Sequence, residues 1–532
     1  VPAESSVIKD EVPTAEVIAA LCLATDIAMG LPFEHGLQST VFAIRLADRL
    51  GVDAEAESQV YYGCLLFYAG CTADAEISAE LFSDGALLTH FSPVMFGTAA
   101  QTMGGVVRAL ASSARTPPGK AFRVATTLPS AVRGHQQHVT AMCEVAAMLS
   151  NRLGVPPAVR DLFDHFTERW DGKGQPGVLS GPEIPFPLRV IHVARDAALQ
   201  SMIGGVDYAA SVVRERAGGA FDPEIAGRLS QDADDILAFD DGRSAWDEVL
   251  AGEPVPRLML QGDAIDQALA AMGDFADLVS TYLVGHSAGV AQLASAAALR
   301  CGFPTADVLA MRRAALVHDV GRVGISARIW QKSAPLTPDE WEHVRLHAYH
   351  TERILSRSPF LAALGSIATF HHERLDGSGY HRGVPAAALS PAARLLAAAD
   401  EYHTKTEVRP HRSAMPPSEV ADLLGQEVRS GRLDRDSVAA VLEAEGQRTQ
   451  RLTRPAGLTE REAQVIGLIA RGLQTKQVGR ALGISTKTAD RHVQNAYAKI
   501  GVSTRAAATV FAMQHGLAAW GELPIAGAVV RS

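Results

Sequence analysis

Two stretches of this chain spell the same phrase with altered letters: Thr167-Glu168-Arg169-Trp170-Asp171-Gly172-Lys173-Gly174 and His372-Glu373-Arg374-Leu375-Asp376-Gly377-Ser378-Gly379. The surrounding spacing repeats as well. His35 precedes Tyr68 by 33 residues and His286 precedes His318 by 32; Asp196 follows Glu168 by 28 and Asp400 follows Glu373 by 27. Self-similarity over so long a span points to one folding plan used twice. The 532 residues are in any case too many for a single hydrophobic core. Turn-forming breaks suggest linkers at 241–262 (Asp-Gly, Gly-Glu-Pro, Pro-Arg) and at 445–457, which ends in Arg-Pro-Ala-Gly. The expected units are therefore 1–240, 263–444 and 458–532.

The fold class follows from periodicity. Thr40–Leu50, Ala288–Ala298 and Val438–Glu445 place apolar residues at three- and four-residue steps, and alternating strand patterns are scarce. An all-α protein is expected. With 47% hydrophobic and 20% charged residues the composition is globular. No uncharged apolar run reaches the ~18 residues of a membrane helix. Val1–Val12, with Glu4, Asp10 and Glu11, does not read as a signal peptide. The five cysteines are scattered and never spaced as CxxC, which argues for a reducing cytoplasm and against a disulfide framework or a zinc-thiolate site.

The middle unit gathers His286, His318, Asp319, His347, His371, His372 and Asp400. These nitrogen and oxygen donors, without a thiolate, suit two divalent transition metals, iron or manganese ahead of zinc. Seven donors exceed the needs of one tetrahedral ion, and a shared Asp would bridge two. A hydroxide between two such cations is a nucleophile at neutral pH, and the cations also draw charge from a bound phosphodiester. In the first unit Tyr68-Ala69 stands where the second has His318-Asp319, and Phe166-Thr167 where it has His371-His372. That copy cannot rebuild the metal pair and is expected to be structural or sensory. His350 and His403 are read as surface or core histidines.

With these residues in view, the stretch 282–444 resembles the HD-domain phosphohydrolases, in particular the HD-GYP family. The matching words are His318-Asp319-Val320-Gly321, His347, and His371 through Tyr380, with Asp400 and Arg409-Pro410 downstream. The resemblance implies an all-helical domain that holds metal ions and hydrolyses cyclic di-GMP. It implies His286, His318, Asp319, His347, His371, His372 and Asp400 as ligands, Asp319 and Arg322 as catalytic, and Gly379, Tyr380, Arg409 and Arg412 around the substrate. Arg322 stands where the family usually has Lys, His381 where it has Pro, and Tyr282 where three-metal members carry Glu. A two-metal site is the expectation.

The last unit is basic. Residues 458–516 carry eight Lys or Arg against three Asp or Glu, although the whole chain has a net charge of −10. Any surface for a polyanion therefore belongs there. Thr459 and Glu462 form a capping box, Gly472 stops that helix, a second helix spans about Thr475–Leu482, and Ser485 caps a third through Ile500. Lys476, Lys487, Thr488, Arg491, His492 and Gln494 are the expected DNA contacts of a helix-turn-helix. The segment resembles the LuxR-type C-terminal domain in Leu458-Thr459-Glu460-Arg461-Glu462, Ala470-Arg471-Gly472-Leu473, Ile484-Ser485-Thr486-Lys487-Thr488 and Lys499-Ile500-Gly501-Val502. That resemblance implies a four-helix domain binding double-stranded DNA as a homodimer through the helix 504–515.

Together these readings describe a cytoplasmic bacterial transcriptional regulator carrying a metal-dependent phosphohydrolase, with no membrane partner. Two alternatives stay open: a non-catalytic nucleotide sensor controlling DNA binding, and a phosphohydrolase acting on another nucleotide.

Overall fold

A computed structural model describes residues 11–239, 242–446 and 455–518. The chain is helical almost throughout, as its periodicity predicts. Among the described residues the strands are Glu11–Pro13 and Met259–Gln261, which pair with each other. No described helix is long and apolar enough to cross a membrane. The chain divides into two compact units, one spanning Pro13–Leu260 and the other running onward from Gln261 and taking in Glu11 and Val12.

In the first unit, Thr14–Met29 is apolar around its circumference and buried accordingly, from Ala15 through Ala24 with only Glu16 half-buried. Gly30, at φ 70°, ends it by donating to the carbonyls of Asp26 and Ile27. His35–Leu50 and Phe186–Gly204 pack in the same core. The segment 241–262 does not behave as the expected linker. It contains the helix Ala245–Ala251, with Trp246 buried. Tyr61 donates to the Val249 carbonyl at 3.0 Å, Tyr62 to Glu253 at 2.8 Å, and Arg45 pairs with Glu248 at 2.8 Å. The turn signals bracket a short amphipathic stretch, Ala245, Trp246 and Val249, that is apolar on one side. The first unit therefore closes at 260 and not at 240. Of the second expected linker, 447–454 lie outside the described residues.

The second unit is built around His286–Arg300, Thr305–Val317, Pro338–Leu355 and Pro391–Thr406. Serine or threonine caps with proline in the first turn start several helices: Thr337 accepts from Glu340 N–H within a capping box, and Ser358 and Ser390 cap the next two long helices.

Hydrogen bonds bear out the repeat. Asp26 accepts the Gly36 N–H at 3.0 Å, and Asp277 accepts the Ser287 N–H at 2.9 Å, in each case just after the paired histidines His35 and His286 begin a helix. Glu168 accepts from the N–H groups of Gly177, Val178 and Leu179; Glu373 accepts from those of Arg382, Gly383 and Val384. A Cβ on Gly174 would lie 2.5 Å from the Glu168 Cα, and one on Gly379 would lie 2.4 Å from the Glu373 Cα. Each copy folds its glycine-rich loop over a buried glutamate.

Candidate metal centre and nucleic-acid interface

Five segments, each in or directly after a helix, deliver the expected donors. His286 opens its helix, His318-Asp319 end Thr305–Val317, His347 lies within Pro338–Leu355, and Asp400 lies within Pro391–Thr406. His371-His372 follow the helix Pro359–Ala368. All are buried except His372, which is half-buried. Gly321 lets two of these segments meet, because a Cβ there would lie 2.2 Å from the His347 carbonyl oxygen. Its N–H donates instead to Thr351 Oγ1 at 3.0 Å.

The seven side chains converge in two groups sharing one carboxylate: Asp319 with His347, His371 and His372, and Asp319 with His286, His318 and Asp400. Within each group the potential ligand atoms lie within 4.8 Å of one another. Asp319 Oδ1 is 3.4 Å from His347 Nε2 and 3.3 Å from His371 Nε2. Its Oδ2 is 3.3 Å from His286 Nε2 and 2.9 Å from His318 Nε2. Asp400 Oδ1 is 3.2 Å from His286 Nε2, and Asp400 Oδ2 is 3.9 Å from His372 Nδ1.

The opposite ring nitrogens are already occupied. Nδ1 of His318 and of His371 each donates to a carbonyl three residues earlier, Ala315 and Ala368, at 2.7 Å, and His347 does the same to Val344. This fixes the tautomers so that Nε2 lone pairs point inward. His347 Nε2 and His371 Nε2 then face each other at 3.4 Å. His318 Nε2 and both Asp319 oxygens are buried with no partner in hydrogen-bond geometry. Converging lone pairs of this kind are what a cation would satisfy, and the donor set fits divalent metals. Burial alone would raise the Asp319 pKa, but the Arg322 guanidinium and His318 hold it well below the usual carboxylate range. Burial pushes His347 down to about 3, which keeps it neutral.

Arg322 is itself buried, 2.6 Å from Asp319 Oδ2 and stacked over Trp330 at 5.6 Å. Its Nε and Nη1 have no hydrogen-bond partner. Tyr380 stacks on His372, with ring centroids 4.6 Å apart, and Gly379 is pressed on Glu373 as described. Arg409 and Arg412, expected at substrate phosphate, are used within the protein. Arg409 donates to the Tyr282 carbonyl at 2.6 Å and to Glu407; Arg412 donates to the carbonyls of Thr404, Lys405 and Glu407 and so holds its own loop. His381 pairs with Glu352 at 2.9 Å.

Sequence reasoning missed Glu407 and undervalued His403. Glu407 is buried and accepts from His286 Nδ1 at 3.0 and 3.1 Å through its two oxygens; His403 lies 3.7 Å from it. With its Nε2 turned to Asp319 and Asp400, His286 is therefore oriented by a carboxylate on its far side. The available signal was position: Glu407 lies seven residues after Asp400 and returns near the same angular face.

The first copy fills the corresponding place differently. His35 is buried, but Tyr68 and Ala69 replace the His-Asp pair, and Phe67 stacks on Phe166 at 5.0 Å. Arg195 lies over the rings of Phe67 and Tyr68, and both oxygens of Asp196 are taken by Arg216 at 2.5 Å. Among the described residues of that unit, no three metal-binding side chains converge.

In the C-terminal part four helices form: Glu460–Ala470, Thr475–Ala481, Thr486–Ile500 and Arg505–Gln514. The Thr459–Glu462 capping box is present, and Ser485 accepts from the Thr488 N–H at 3.1 Å. Val465, Ile466, Ile469 and Val493 are buried, while Tyr497 and Ile500 are half-buried. Lys476, Lys487, Thr488, Arg491 and Gln494 are exposed and His492 half-buried. The third helix thus presents a polar, basic face to solvent.

Residues 271–437 match the HD domain family, and residues 456–512 match the bacterial regulatory proteins of the luxR family. The chain therefore carries an HD domain followed by a LuxR-type helix-turn-helix domain. It is 28% identical over 447 residues to the 3'3'-cGAMP-specific phosphodiesterase 3 of Vibrio cholerae, covering 82% of this chain and 96% of that protein. It is 37% identical over 136 residues to a cyclic di-GMP phosphodiesterase of Thermotoga maritima, covering 25% of this chain and 37% of that protein. A crystal structure of the V. cholerae cyclic GMP-AMP phosphodiesterase V-cGAP3 superposes with a TM-score of 0.56 at 23% identity, covering 83% of this chain and all of the other, a likeness of fold.

Proposed function

We propose that the HD domain hydrolyses a cyclic dinucleotide at two divalent cations, and that the fused helix-turn-helix makes the chain a transcriptional regulator answering to that nucleotide. The observation that carries this reading is the Asp319 carboxylate, which turns one oxygen to His347 and His371 and the other to His286 and His318. His286, His318, Asp319 and Asp400 would hold one cation, and Asp319, His347, His371 and His372 the other. Cations so held polarise a phosphodiester and supply a water nucleophile at neutral pH.

The chain's own residues do the rest. Arg322, with two buried donors unspent, would clamp a phosphate oxygen; its planar fork suits that task better than a lysine. Tyr380, braced on His372, would form a wall for a base, and Gly379 sets the loop that carries it. Asp319 keeps its charge through Arg322 and His318 and is poised to bind cations at neutral pH. Arg409 and Arg412 support this site through its loop and through Glu407. Cyclic dinucleotides are the favoured substrates because the relative spanning both halves bears the name of a 3'3'-cGAMP phosphodiesterase, and a shorter relative that of a cyclic di-GMP phosphodiesterase.

The test is hydrolysis of 3'3'-cGAMP and of cyclic di-GMP with Mn2+ or Fe2+, beside a variant with His318→Ala and Asp319→Ala. Turnover in the wild type alone supports the enzyme. Tight binding without product in the wild type would replace it with a sensor. For the reader, Lys487→Ala with Arg491→Ala should abolish duplex binding; unchanged affinity at moderate salt would refute the DNA assignment.

A further inference from the structure

The helix Glu460–Ala470 of the DNA reader ends in a turn at Arg471 and Gly472. A charged residue in a surface turn is ordinarily solvated, yet Arg471 is only 7% exposed. Gly472, at φ +85°, lies against the HD domain: a Cβ on it would be 3.3 Å from Thr281 Cγ2. Thr281 is five residues before His286, and its neighbour Tyr282 gives its carbonyl to Arg409. Arg409 in turn bonds Glu407, the carboxylate that orients His286. The reader's turn is thus seated on the lip of the metal centre. Burial pushes the Arg471 guanidinium down to about 10, and the negative charge of Glu407 opposes that shift. The recognition face is not consumed by this seat, since Lys487, Thr488, Arg491 and Gln494 stay exposed.

Building on the metal-site reading above, we propose that the Arg471–Gly472 turn is an electrostatic latch on the HD domain, seated on Thr281 and opposed by cation loading of the His286 site. The sign follows from charge. Arg471 is drawn by the negative charge of Glu407, and Arg409, already paired with that carboxylate, is the other cation beside it. Divalent cations arriving beside His286 add positive charge behind Glu407 and weaken the attraction for a guanidinium in a place where water screens little. Because coupling is reciprocal, a docked Arg471 must also weaken cation binding.

The experiment uses the full chain and Mn2+. Wild type, Arg471→Gln and Thr281→Phe, the last wedging the turn from the opposite side, are titrated with Mn2+. Amide hydrogen exchange is followed over residues 468–473. Both variants should bind Mn2+ about tenfold more tightly than the wild type, within the usual range of coupling between sites. In the wild type, Mn2+ should speed exchange in the turn; in Arg471→Gln exchange should already be fast and insensitive to Mn2+. Two Mn2+ per chain bound with equal or weaker affinity in the variants would overturn the latch while leaving the metal centre standing. Absence of Mn2+ binding in all three proteins would overturn the metal-site reading and the latch with it.

Discussion

The two copies of the HD plan keep the same buttress and differ in what it supports. In both, a buried glutamate (Glu168, Glu373) gathers three successive backbone N–H groups, and an aspartate (Asp26, Asp277) caps the helix bearing the paired histidine. Around the second buttress, imidazoles turn their Nε2 atoms inward onto the Asp319 carboxylate; around the first, aromatic rings and the Arg216–Asp196 pair close the space. Both interiors solve the same problem, which is how to bury polar side chains. One arranges donors that call for cations, and the other satisfies or removes them.

Substitutions at matched positions should separate these solutions. The largest effect is expected from Asp319→Asn, which removes the carboxylate shared by both groups: metal content should fall to background and hydrolysis be lost, whereas Asp196→Asn should leave metal content unchanged. Metal analysis of the two purified variants checks this, and a fall in both would erase the contrast. Asp196→Asn should instead destabilise the first unit, by about 1–3 kcal/mol, because the half-buried Arg216 loses its counter-charge. Denaturant titration with urea gives that number. Glu407→Gln should lower Mn2+ affinity about 10- to 100-fold, the usual consequence of losing a carboxylate behind a ligating histidine. A change of less than twofold would remove Glu407 from the centre. The smallest effects are expected at the loop glycines. Gly174→Ala and Gly379→Ala each drive a methyl into backbone, at a cost of about 1–3 kcal/mol. Similar losses from the two would show that the loops are equivalent, and only Gly379→Ala should also reduce turnover.

The seven inward side chains were legible in the sequence because metal chemistry limits the residue types, and the repeat supplied a reference in which most of them are absent. The helices were legible from their periodicity, and the reader's first helix from Thr459 and Glu462. Glu407 was not, because a glutamate near the end of a helix looks the same whether it faces water or a histidine. Arg412 is a related case: its charge suggests phosphate, but its guanidinium donates to the carbonyls of Thr404, Lys405 and Glu407 at the end of the preceding helix. The segment 241–262 was misjudged because its turn signals outnumber the three apolar residues that anchor it. The seat of Arg471 depends on contacts between residues far apart in the chain, which local patterns do not encode.

The glutamate-held loop also bears on how such chains diverge. Because Glu168 secures its loop without any inward histidine pair beside it, the architecture does not depend on the reactive centre for its integrity. A lineage can therefore discard the chemistry of one copy and still inherit a well-folded body, free to take up other work.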